Sequence, residues 1–324
     1  MKTIKNLLLM LVVCLLGLSL AGCGDDSLTK VGILKYVTAP ALDNAEDGIV
    51  EALAKAGFVD GENIKIVYQN PEANPSTLTN AAISLVNDCD IIFAIATPAA
   101  QAVKAEIENQ GKNTPLIFTA VTDPEAAGLT NCDFITGTND MNPVADQVAL
   151  IHDVNPNAKK MGVLYSSNEV NSQVQCDLAI EKAKAMGMST STQTITSVND
   201  ITNAVNALVS DGCDAIYLPT DNVIATAVAT VTNITNDLGI IVICGEEGMI
   251  GDGGLVSYSI NYKALGVMTG EMGVQVLNGT KAGDIEITGL PVAELSLVIN
   301  KKAAAAANIT VPQALLDKAD TVIE

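Results

Sequence analysis

The chain has 324 residues, a formal charge of −20 and a hydrophobic content of 48%. That charge argues against a basic footprint on nucleic acid, and because all 17 basic residues are lysines no bidentate guanidinium clamp on a carboxylate or phosphate is possible. An anionic ligand group must instead be met by lysine, by hydroxyls or by backbone N–H groups at helix N-termini.

In chain order, Lys2 and Lys5 precede an apolar run over residues 7–20 that closes on Leu20-Ala21-Gly22-Cys23. The run is short for a membrane span and has the charged front and small-residue end of an export signal. The small pair before the cysteine resembles the bacterial lipobox. The expectation is a signal peptide over 1–22, acylation of Cys23 as lipid anchor, and a tether over 23–29. Each buried acyl methylene contributes about 0.8 kcal/mol to membrane attachment.

Short apolar runs then alternate with helical patterns. Strands are predicted over 31–36, 64–68, 91–95, 116–119, 161–165, 190–195, 215–218, 240–243 and 255–260. Helices are predicted over 42–56, 78–86, 144–152, 172–186 and 223–235. The alanine run 303–307 reads as a further piece of helix. Near-continuous apolar strands alternating with helices mean parallel sheets covered on both faces.

Beyond Cys14 in the signal and Cys23, the body holds Cys89, Cys132, Cys176, Cys213 and Cys244, with no C-x-x-C pair. An odd and widely spaced set argues for buried thiols rather than a disulfide framework. His152 is the only histidine; it falls at a predicted helix end beside Asp153, which suits a surface or capping role better than a metal site. No cofactor motif is present: there is no G-x-S-x-G elbow or phosphate-binding lysine loop, and the spacing of Gly245, Gly248 and Gly251 is not that of a dinucleotide site. The chain reads as a non-enzyme.

The two halves echo each other. Val31-Gly32-Ile33-Leu34 is matched by Met161-Gly162-Val163-Leu164, residues 89–97 by 213–220, and 115–123 by 240–246, in the same order. Duplicated parallel sheets facing one another would bring six strand-end turns to one cleft, since ligands sit beyond the carboxyl ends of such strands. These turns are 37–43, 97–98, 122–123, 166–171, 220–222 and 245–247. Asp123, Asp221 and Glu246 stand at matching strand ends, and Asp140 follows the strand that leaves the first half. Each suits helix capping, but several acids converging on one cleft suit a bound ammonium, because a desolvated cation needs a charged partner.

The phrases APALD, AIATPAAQA, FTAVTDPEAAGL, GTND, GVLYSSNEVNS, AIYLPTDN, and GEEGM followed by NYKALGVMTGEM resemble together the substrate-binding lipoproteins of ABC transporters, of the tryptophan/tyrosine-transport type. The resemblance spans essentially the whole mature chain, with GTND where GTSD is more usual. It implies a type I periplasmic-binding-protein fold: two parallel-sheet α/β lobes joined by a three-strand hinge, with a ligand cleft between them. The lobes would comprise 30–139 plus 262–292 and 140–261 plus 293–324, with helix 262–277 returning to the first. It further implies an exported, membrane-anchored receptor that closes on an aromatic amino acid and presents it to an ABC permease and its ATPase. Candidate contacts are Thr97, Thr122, Asp123, Asp140, Ser166, Ser167, Glu169, Asp221 and Glu246. Asp221 and Glu246 would hold the ammonium, and Thr97, Ser166 and Ser167 the carboxylate. Tyr36, Tyr165 and Tyr217 are candidate pocket aromatics, with core packing the competing role for Tyr217. Alternatives are a sugar or nucleoside receptor on the same fold, and a sensory protein serving a membrane kinase.

Overall fold

Apolar runs without polar alternation are stable as strands only where both sheet faces are covered, and the chain uses them that way twice. The computed structural model describes residues 28–291 and 294–324; the signal segment, Cys23 and most of the tether lie outside the described residues. One sheet has the order β11-β5-β4-β3-β1-β2, all parallel. Its strands are β1 (Thr29–Lys35), β2 (Ile64–Gln69), β3 (Ile91–Ile95), β4 (Leu116–Val121), β5 (Ile135–Asn139) and β11 (Thr288–Gly289). The other has the order β13-β12-β10-β9-β8-β6-β7. It is built from β6 (Lys160–Ser166), β7 (Ser189–Ile195), β8 (Ala215–Leu218), β9 (Ile241–Cys244), β10 (Val256–Ile260), β12 (Leu295–Asn300) and β13 (Thr321–Ile323). Only the β10–β12 pair is antiparallel. The central strands β3, β4, β8 and β9 are buried along their whole length.

The chain passes between the sheets three times: after β5, after β10, and between β11 and β12, where residues 292 and 293 lie outside the described residues. After the second passage helix Tyr262–Leu277 packs on helix Pro40–Lys55 of the first lobe. Their backbones nearly touch. A Cβ on Gly266 would sit 2.1 Å from the Ala45 carbonyl oxygen, and one on Gly48 2.3 Å from that of Lys263. No larger residue fits either position.

The echo in the sequence has a structural counterpart. In both lobes the aspartate after the buried cysteine ties down the first strand: Asp90 Oδ2 accepts from the Lys30 N–H at 2.8 Å, and Asp214 Oδ2 from the Lys160 N–H at 3.0 Å. The cysteines fill matching places, since a Cβ on Gly32 would meet Cys89 Sγ at 3.2 Å and one on Gly162 would meet Cys213 Sγ at 3.2 Å. All five body cysteines are free, and burial pushes the Cys89 thiol up to about 11, which leaves it unreactive. His152 is half-buried and lies 3.1 Å from the Ala158 carbonyl through Nε2, closing the end of its helix.

One predicted element differs. The helix predicted over 223–235 is two pieces, Asn222–Ala225 and Val228–Thr235, because Ala227 leaves helical geometry at φ −143° and its N–H closes a turn on Ile224. The short strands β11 and β13 carry too little apolar pattern to be read from sequence. Among the described residues no helix is long and apolar enough to cross a membrane.

Candidate functional site

A small, partly enclosed cavity lies where the carboxyl ends of both sheets face each other. Five of the six strand-end turns line it: Ala39, Ala41 and Leu42 from the first, Thr122, then Asn171, then Thr220 with Asp221 and Asn222, and Glu246; Ala120, Ala225, Asp140 and Tyr262 complete the wall. The two lobes meet at its edge. A Cβ on Gly248 in the second lobe would lie 3.1 Å from Pro40 Cβ in the first.

Four carboxylates at or beside this cavity are nearly inaccessible: Asp140, Glu169 and Asp221 are 1% exposed and Glu246 2%. Among the described residues the lysine–carboxylate pairs use other acids, such as Asp43 and Glu46 with Lys35. Burial accordingly pushes all four carboxyls above their ordinary range, Glu246 to about 7 and Glu169, with Asp221 adding to the effect, to about 8. Among the described residues no group of three or more histidines, cysteines or acids could hold a metal ion.

Their hydrogen bonds separate them. Asp221 Oδ1 accepts from the N–H groups of Val223 and Ile224 at 3.1 and 2.9 Å, and Oδ2 from that of Ser166 at 2.6 Å. Glu246 Oε2 and Oε1 accept from Gly248 and Met249 N–H at 2.5 and 3.0 Å. Both acids therefore cap a helical turn while lining the cavity, so the two roles weighed from sequence coincide. Glu169 is held by Asn222 and Asn171 side chains on Oε2 and by the Val223 N–H on Oε1; it stands behind the cavity wall rather than in it. Asp140 is different. Its Oδ2 accepts from the Tyr262 hydroxyl at 2.7 Å and the Thr122 hydroxyl also favours the ionised carboxyl, while Oδ1 is buried with no partner in hydrogen-bond geometry.

The wall opposite is electropositive without a cation. Helix Pro40–Lys55 begins at the cavity, and Ala39 at its N-cap has no side chain to accept a bond. Proline at the first position has no N–H, and the Asp43 N–H is taken by the Ala39 carbonyl at 2.9 Å. The N–H groups of Ala41 and Leu42 are thus left without an intrahelical acceptor at the positive end of a 16-residue helix. The APALD phrase marked this turn, but capless alanine gives no chemical signal of its own, and Ala39, Ala41 and Leu42 were not among the sequence candidates. Ala120 also lies on the wall, at φ +53° where β4 slips register against β5. Such backbone strain concentrates at functional sites.

The remaining candidates sit elsewhere. Thr97 opens helix Thr97–Asn109, buried with its hydroxyl unpartnered, but outside the cavity lining. Asp123 is half-buried and uses Oδ1 on the Glu125 and Ala126 N–H groups of its own turn. Ser166 is buried with a free Oγ, and Ser167 is exposed and bonded to the Ile195 carbonyl. Neither serine lines the cavity. Tyr36 is buried and feels Glu169 and Asp221, after desolvation, as upward pressure on its hydroxyl. Tyr165 bonds Gln173. Tyr217 lies in the core, its hydroxyl on Gln147 Oε1 at 2.9 Å. Tyr262 is the cavity's aromatic residue, and the sequence reading did not name it.

Residues 30–323 match the model of the ABC transporter substrate binding protein family. The chain is 34% identical over 319 residues to a tyrosine-binding protein of Clostridioides difficile, covering 92% of this chain and 90% of that one. Among solved structures, an ABC domain from Streptococcus pneumonia in complex with L-Trp is 36% identical with a TM-score of 0.85, covering 92% of this chain and all of that one. The ligand-free, open structure of a substrate-binding protein with adhesive properties from Clostridium difficile is 35% identical, with a TM-score of 0.67 over 91% of this chain and 99% of that one. At near-equal identity the overall similarity is greater to the ligand complex than to the open form. The fold is that of type I periplasmic binding proteins, and the family is one of binding proteins rather than enzymes. The chain belongs to the substrate-binding proteins of ABC transporters.

Proposed function

We propose that the protein captures a zwitterionic aromatic amino acid between its lobes and delivers it to a membrane permease. The observation that carries this is the free, buried Oδ1 of Asp140 in a cavity walled by further carboxylates. A buried charge without a partner is costly, and a ligand ammonium offsets that cost. The sequence reading gave the ammonium to Asp221 and Glu246; their oxygens already hold backbone N–H groups, so we assign the direct bond to Asp140 and the surrounding negative field to the other two. The ligand carboxylate docks on the Ala41 and Leu42 N–H groups rather than on Thr97, Ser166 or Ser167. Between these ends the wall carries only the small side chains of Ala39, Ala120 and Ala225.

Support for an aromatic ligand comes from the tyrosine-binding relative and from the L-Trp complex. The lobes in this reading comprise 30–139 plus 262–292 and 140–261 plus 293–324, and closure draws on contacts made only when both walls meet the ligand. Export, acylation at Cys23 and attachment to the outer face of a membrane remain part of the proposal on the strength of residues 1–23. The test is a thermal-shift screen against the twenty amino acids, sugars and nucleosides. A ligand at about 100 times its Kd adds roughly 2.7 kcal/mol. Stabilisation by Tyr, Trp or Phe is expected; stabilisation only by a sugar or nucleoside would overturn the ammonium site.

A further inference from the structure

The cavity holds a second unpartnered acceptor. Asn171, 3% exposed, lines the wall contributed by the second lobe. Its amide orientation is fixed by what surrounds the nitrogen: Nδ2 donates to the Thr220 carbonyl at 2.9 Å, to Glu169 Oε2 at 3.2 Å and lies 3.4 Å from Ser172 Oγ. A flipped amide would set its oxygen against a carbonyl and a carboxylate, so the oxygen faces away from them and is buried with no partner. Neighbouring donors are committed. Asn222 Nδ2 is 2.5 Å from Glu169, and the amides of Gln175 and Asn142 are turned to Thr220 Oγ1 at 3.1 and 3.3 Å.

An unpaired buried acceptor costs the full desolvation of the group, so a site that keeps one is shaped for a donor brought from outside. The ligand ammonium is drawn to the charged Asp140 oxygen, which leaves the neutral amide of Asn171 for a neutral donor elsewhere on the ligand. Resting on the amino-acid reading of this cavity, we infer that Asn171 is a specificity determinant that accepts a hydrogen bond from a donor on the ligand's aromatic side chain, the phenol O–H of tyrosine or the indole N–H of tryptophan. Phenylalanine fills the same space and leaves the acceptor orphaned.

The experiment is calorimetric titration of the full chain with L-Tyr, L-Trp, L-Phe, O-methyl-tyrosine and 1-methyl-tryptophan, repeated on Asn171→Ala. The expected result is that the tighter of Tyr and Trp, which identifies the donor, exceeds Phe and its own methylated analogue by on the order of 10- to 100-fold. In Asn171→Ala that ratio falls towards one. Phe equal to both Tyr and Trp in the wild type, or an unchanged ratio in Asn171→Ala, overturns the assignment while leaving the amino-acid reading intact. Failure of all five ligands to bind overturns the reading on which it rests. Should the variant not fold, the methylated analogues on the wild type decide the matter.

Discussion

At the scale of single residues, the same chemical group does different work according to which of its oxygens is spoken for. Asp221 and Glu246 are bonded to backbone on both oxygens, whereas Asp140 has one oxygen free. Asp140→Asn should therefore weaken amino-acid affinity by about 2–5 kcal/mol, the usual cost of removing one partner of a buried charge pair. The same change should leave the melting temperature of the empty protein unchanged or raised, since asparagine still accepts from Tyr262 and no longer buries a charge. Glu169 makes a different prediction. Pushed up to about 8, it is protonated in the folded protein over a range where the unfolded chain, at roughly 4.3, has lost the proton. Folding takes up that proton, so stability falls as pH rises through this window, with Glu246 at about 7 adding the same sign. Glu169→Gln should flatten this slope: melting curves should match wild type near about pH 5 and lie above it near about pH 8.5. The sequence carried the acids but not this division of labour, because partner accounting depends on which N–H groups each turn presents. Thr97 and Asp123 looked equivalent to residues that do line the cavity, and local turn geometry turned them elsewhere.

At the scale of elements, the site depends on a helix contact far from the ligand. Helix Tyr262–Leu277 begins with the residue that holds Asp140, and helix Pro40–Lys55 begins with the uncapped N–H groups. Gly48 and Gly266 let the two lie backbone to backbone. Gly266→Ala forces them apart and should lower unfolding free energy in urea by about 1–3 kcal/mol, the typical cost of overpacking. Affinity should fall with it, as both ends of the site shift together. The central strands and most helices were legible because their apolar runs and periodicity are long. The break at Ala227 was not, since nothing in its alanine- and valine-rich neighbourhood marks a turn. β11, at two residues, is too short to show any pattern.

At the scale of the whole molecule, two similar strand series form two sheets, and the carboxyl ends of both line one cavity. The paired cysteine–aspartate phrases mark that likeness in the sequence, because each aspartate performs the same tie on the first strand of its lobe. The expected cleft follows from topology, and five of its six turns line one cavity. The proposed anion site does not follow from topology, since a helix N-terminus acts through backbone that any sequence shares. The central claim is that a buried carboxylate awaits a ligand ammonium, and calorimetric titration with L-Tyr and L-Trp beside their N-acetyl derivatives tests it most directly. Acetylation removes the ammonium and keeps the ring and carboxylate. The account predicts binding of at least one free amino acid and a loss of roughly 100-fold or more on acetylation; an N-acetyl derivative that binds as tightly as its parent would contradict it.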